Sequence, residues 1–135
     1  MNITLSRKQF RRMLDMIYIG NWVLNSMRGD DRLTDYDEIE SLMFGLCAQN
    51  GMTALYERSG GEVIPSRAFA EGGIHEAIMD YEDTVFFEIL AEELARRDLE
   101  QEAIDFNDVE RLNERISVYI DEFERNGTDN LSIDV

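Results

Sequence analysis

The chain has 135 residues, 44% apolar and 31% charged, with 29 acids against 13 Lys and Arg and a formal net charge of −16. That length predicts a single globular domain over residues 1–135, large enough to bury about two thirds of its unfolded surface without a disulfide or metal staple. The charge works against nucleic-acid and anionic-membrane partners, which need a cationic surface, and a single cysteine, Cys47, excludes an intrachain disulfide.

Ser6 and Gln9 have capping-box spacing and open a helix over about 7–28, with Phe10, Met13, Leu14, Ile17, Leu24 and Met27 at helical intervals. Met16, Tyr18, Ile19, Trp22 and Val23 fill its other faces, and a helix apolar nearly all round is central in a core or has a second face on another subunit. Basic residues precede this apolar stretch as in a secretory leader. Asp15, Gly20 and Asn21 interrupt it, however, and no small-residue cleavage site follows, so a cytoplasmic protein is expected. No window reaches the length of a membrane span.

Thr34 or Asp35 is the expected cap of a second helix, Tyr36 to Gln49, with Ile39, Leu42, Met43, Leu46 and Cys47 as its apolar positions and Asn50-Gly51 as its stop. Residues 53–58 and 62–64 flank Ser59-Gly60-Gly61 as a short hairpin with a three-residue turn, Pro65 holding the second strand to an edge or end. Gly72-Gly73 breaks the chain before a short helix, 74–79. Asp80 is the expected cap of a longer one running to about Glu102, with Val85, Phe86, Ile89, Leu90, Leu94 and Ala95 on its inner face, widened by Phe87 and Ala91. Asn107 with Glu110 opens a last helix to Arg125, whose Val109, Leu112, Ile116, Tyr119, Ile120 and Phe123 form the cleanest stripe in the chain. Leu131, Ile133 and Val135 alternate as a third short strand would. The fold class is therefore mainly α, about five helices around one core, with a small β-hairpin.

No constellation of catalytic groups emerges, and no cofactor is implied. The only histidine, His75, stands beside Glu76 and one turn from Asp80, too few ligands for zinc. Glu88 and Glu92 share a helical face and, with a second acidic helix such as that bearing Glu110 and Glu114, are the set a metal-dependent hydrolase would use. Arg111 and Arg115 beside those last two read instead as a salt-laced solvated face. Cys47 lacks the basic or glycine-rich setting that activates a thiol.

Charge is distributed unevenly. Residues 1–33 carry six bases and three acids, a balance of +3, which leaves −19 on the rest, and Ala68–Ala95 holds eight acids and no Lys or Arg. Arg7, Lys8, Arg11 and Arg12 crowd the start of a helix whose dipole opposes them, so contacts within the fold or a twin subunit should offset the cost. The combination points to a non-enzymatic acidic protein-binding module, an accessory factor or an immunity-type inhibitor of a basic protein. Arg7, Arg11, Arg12, Tyr18, Trp22, Glu82 and Asp83 are its contact residues, and a homodimer would bury the face around Tyr18, Ile19 and Trp22.

Four stretches, Ile19 to Asn25, Tyr36 to Glu40, Phe86 to Leu99 and Phe123 to Leu131, together resemble small acidic bacterial proteins of unknown function. The resemblance spans the chain and implies a complete bacterial protein; it carries over no catalytic or binding residue.

Overall fold

A computed structural model describes residues 1–105 and 107–134. The chain is mainly helical and divides into two compact units, Met1–Ile78 and Met79–Val135.

In the first unit, α1 spans Arg7–Asn25 and opens on the expected capping box: the Gln9 amide donates to Ser6 Oγ at 3.2 Å and the Ser6 amide to Gln9 Oε1 at 2.9 Å. α2 spans Thr34–Gly45 and begins without a side-chain cap, so neither Thr34 nor Asp35 plays the expected role. Its continuation, Leu46–Asn50, tightens to a 3₁₀ helix rather than remaining α to Gln49, and Gly51 ends it in the left-handed conformation at φ 66°. Thr53–Leu55 is another 3₁₀ turn, not strand. The hairpin is shorter than the sequence pattern implied. β1, Tyr56–Ser59, pairs antiparallel with β2, Glu62–Pro65, and Ser59 faces Glu62 across a two-residue Gly60-Gly61 turn. Both glycines have positive φ, 59° and 85°, as a primed hairpin turn requires, which is why Ser59 joins the strand. Pro65 terminates the pairing, as expected. The core of this unit is Phe10, Leu14, Phe44, Cys47, Met52 and Phe69, the last from a single turn, α3, Arg67–Phe69. Ile39 and Leu42, assigned inward by spacing, are exposed, and Phe44 takes the buried position.

Gly72 and Gly73 interrupt the helical path, Gly73 at φ 103°. From there α4 runs unbroken over His75–Gln101, so Asp80 is no cap. No Gly or Pro lies between Glu76 and Thr84 to stop the helix, and Thr84 Oγ1 donates back to the Asp80 carbonyl at 2.9 Å, a bond made inside a helix.

In the second unit α4 leads to α5, Val109–Asn126, capped by Asp108, whose carboxylate accepts from the Arg111 amide at 3.2 Å; Asn107 bonds Asp105 instead. The core is Ala95, Leu99 and Leu112 with Ile104, Ile116 and Tyr119 against it. Phe123 packs on Phe87 at 5.4 Å between ring centroids. Small residues at Ala91 and Ala95 define the inner face of α4. Phe86 and Ile89, expected there, point to solvent. α4 closes in a Schellman motif, with the Ile104 amide on the Leu99 carbonyl at 2.9 Å, the Ala103 amide on Glu100 at 3.1 Å and Ala103 left-handed at φ 56°. Residues 131–134 form no strand; Val135, the last residue of that expectation, lies outside the described residues.

Candidate functional site

The basic start of α1 is largely consumed by the first unit itself. Arg7 reaches the end of the Leu46–Asn50 turn and donates to the carbonyls of Asn50 (3.0 Å) and Gly51 (3.3 Å), where a cation meets the negative end of the backbone dipole. Arg11 is paired with Asp15 and lies 4.7 Å above the Phe69 ring, while Arg12 meets the same carboxylate at 3.3 Å. The offset to the helix dipole is thus one acid of the same helix, a ring and two carbonyls, rather than a neighbouring acidic helix. Arg12 remains the most available of the three, its side chain 73% exposed.

Tyr18 and Trp22, one turn apart, converge on His75. The Tyr18 hydroxyl lies 2.6 Å from His75 Nε2, and the Trp22 ring stands edge-on to the imidazole at 4.6 Å. Burial, then the nearby Glu40 carboxylate, raises the Tyr18 phenol above its ordinary pKa. Glu40 is itself raised by burial, with Asp37 adding to the effect against the opposing Asn21 hydrogen bond and Arg32 charge. His75 is therefore a hydrogen-bonded partner of α1, and the cluster belongs to the packing of the first unit. Burial also raises the Cys47 thiol, against the opposing Arg11 charge, and a protonated buried thiol is a poor nucleophile.

The second half of α1 is inside out. Its buried positions are Asn21 and Asn25, whereas Met16 and Val23 are exposed, as is Met27 just beyond its end. Asn25 Nδ2 donates to the Leu33 carbonyl (3.0 Å) and to Asn21 Oδ1 (2.7 Å), its Oδ1 accepts the Leu33 amide (2.8 Å), and Asn21 Nδ2 donates to Asp37 (3.0 Å). Those bonds fasten α1 to the segment entering α2. Met16, Gly20 and Val23 lie on the opposite side at the 3–4 spacing of a helix-packing stripe.

On α4 a second stripe faces solvent. Met79, Glu82, Phe86, Ile89 and Glu93 recur every three or four residues and all are exposed. Phe86 and Ile89 are 51% and 56% accessible, the Phe86 ring standing edge-on to the neighbouring Phe87 ring at 5.1 Å between centroids. Glu82 of the expected contact residues falls on this stripe and Asp83 beside it; Tyr18 and Trp22 belong to the first unit. Phe86 and Ile89 were hidden by periodicity, because the helix is apolar on two sides; the alanines at 91 and 95 were the available signal for the packed side. Of the acids a metal enzyme would use, Glu88 is exposed and Glu92 is paired with Arg96 at 2.6 Å. Among the described residues no three His, Cys, Asp or Glu side chains gather as metal ligands would.

Asp98 forms the polar centre of the second unit. It accepts from Tyr119 Oη at 2.5 Å, from Arg115 at 3.0 Å and from Arg97 at 2.9 Å, and Arg115 also grips Glu102. Burial pushes the Asp98 carboxyl up, but the bonds from Tyr119, Arg97 and Arg115 outweigh it and hold the group below its ordinary pKa. It is a clamp between α4 and α5.

No helix among the described residues is long and apolar enough to cross a membrane. Compared with protein-family models, curated proteins and solved structures, the chain matches none of them.

Proposed function

We propose that this chain is a non-enzymatic, acidic protein-binding module whose working surface is the solvent face of α4. One observation carries the reading: Phe86 and Ile89 are exposed on a helix whose residues from His75 to Ala95 include no Lys or Arg and seven acids. Exposed apolar groups supply contact area, and the flanking acids select a cationic partner and speed its approach. The complementary ligand is an amphipathic helix with an apolar stripe bordered by Lys or Arg. An accessory factor and an inhibitor of a basic protein would both use such a face.

The test compares two labelled synthetic peptides of the same Leu–Lys composition by fluorescence anisotropy, one with leucines at helical spacing and one scrambled. The chain should bind the patterned peptide about tenfold more tightly, with both affinities falling toward about 0.5 M salt as charge is screened. Serine at both Phe86 and Ile89 leaves every charge in place and should erase the preference. Equal affinity for the two peptides, or a preference that survives the serines, overturns the proposal.

A further inference from the structure

We infer that the segment fitting the α4 face is α1 of a second copy of this chain, bound antiparallel. The inference rests on the reading of α4 as a docking face and names its occupant.

Two independent features of α1 support it. The first is the inverted second half, where buried asparagines leave Met16 and Val23 exposed at 68% and 55%. An amphipathic helix that turns its polar side to its own core has its apolar side free for another body. The second is register. With the helices antiparallel, Arg12 falls opposite Glu93, Met16 opposite Ile89, Gly20 opposite Phe86 and Val23 opposite Glu82, each α1 step of three or four residues meeting an α4 step of three or four. The largest side chain of one stripe thus meets the residue without a side chain on the other. A Cβ built at Gly20 touches nothing within 4 Å, so the space above it is open in the single chain. One helical turn further, Lys8 would face Arg97, which ends the favourable register at Arg12 and Glu93.

Charge discriminates between this arrangement and like-with-like contacts. Two α4 faces would oppose Glu82 and Glu93 to acids of the same kind. On the α1 stripe the single charged position is Arg12, so α1 brings no like charge to Glu82 and Glu93.

Light scattering on the full chain across a concentration series should report a multiple of 15.7 kDa. Arg12→Glu and Glu93→Arg, each on an exposed position, should each weaken association at least about tenfold, and the two together should restore it, with helicity by circular dichroism unchanged throughout. A mass of one chain at every concentration overturns the inference, and so does an oligomer indifferent to both reversals or not rescued by the pair. The failure of the α4 reading is separable: the patterned cationic peptide is titrated onto the Arg12→Glu chain, where binding keeps the docking face whatever the oligomeric state, and absence of binding removes it.

Discussion

Asn25 offers the sharpest test of how the first unit is held. Its amide is 1% exposed and makes three hydrogen bonds, two of them with the backbone of Leu33. Asn25→Ala leaves the Leu33 amide and the buried Asn21 Oδ1 without the bonds they make to Asn25, whereas the Leu33 carbonyl keeps the Tyr36 amide at 3.3 Å; an unsatisfied buried group costs about 1–3 kcal/mol, and the lower end is used for each, Leu33 being only half-buried. Lost packing around the removed amide adds a fraction of a cavity cost, giving about 2–3 kcal/mol in total. Urea unfolding followed by the fluorescence of Trp22, the single tryptophan, reports on this unit. With a slope of about 1 kcal/mol per molar, suited to a body of this size, the midpoint should fall by about 2 M or more. Asn50→Ala is the matched control: Asn50 is exposed, its one side-chain bond is to the Leu46 carbonyl four residues back, and its loss should stay within about 0.5 kcal/mol. If the two substitutions prove equally mild, the Asn25 bonds do not fasten α1 to the segment before α2, and the account of its inverted half fails with them.

The Asp98 clamp predicts a pH dependence. A carboxylate held below its ordinary pKa contributes stability that is fully present above the unfolded value, about 4, and is lost as pH falls through the folded one. Asp98→Asn should destabilise the second unit by about 2 kcal/mol near neutrality, through weakened bonds from Arg97, Arg115 and Tyr119. The deficit should shrink on acidification below about pH 4, and a deficit independent of pH in a circular-dichroism melt would contradict the assignment. Ala103→Gly acts in the opposite direction. Ala103 is left-handed at φ 56°, where glycine is unstrained, so the substitution should stabilise the second unit by about 1 kcal/mol, and an unchanged or lowered melting temperature would count against strain at that C-cap.

Signals that act over three or four residues were legible in the sequence. The Ser6–Gln9 box, the left-handed stop at Gly51, the Gly60-Gly61 turn and the break at Gly72-Gly73 each follow from backbone demands that few residue types satisfy. The direction each helix faces was harder to read. α5 has a single stripe, and its Leu112 and Phe123 are buried as periodicity required, whereas Val109, expected inward with them, is exposed at the first position of the helix. α1 and α4 carry apolar residues on two sides, so a 3.6-residue period fits either face. What decides between them is nonlocal: the buried Asn21 and Asn25 depend on Leu33 and Asp37 as partners, and Ala91 and Ala95 depend on α5 lying close. Polar residues at inward positions are costly without such partners, which is why the asparagines read as surface until the partners are known. The contact residues chosen for charge, Arg7 and Arg11, fared similarly, because their satisfaction by Asn50, Gly51, Asp15 and Phe69 is a property of the folded first unit.

The basic residues decide how the acidity should be interpreted. Ten arginines are ion-paired with carboxylates of their own unit, several through neighbours three or four residues away on the same helix, as Arg67 is with Glu71 and Arg96 with Glu92. Exposed pairs of that kind contribute little to stability, so their main effect on the surface is to cancel charge locally. Cancellation is least complete where bases are missing from the sequence. Between His75 and Ala95 the one acid with an ion-pair partner among the described residues is Glu92, whose Arg96 lies just outside the stretch. Glu82 and Glu93 therefore stand uncompensated beside Phe86 and Ile89. An acidity serving only solubility gives no reason for that placement beside exposed apolar side chains; the proposed recognition of a cationic partner does.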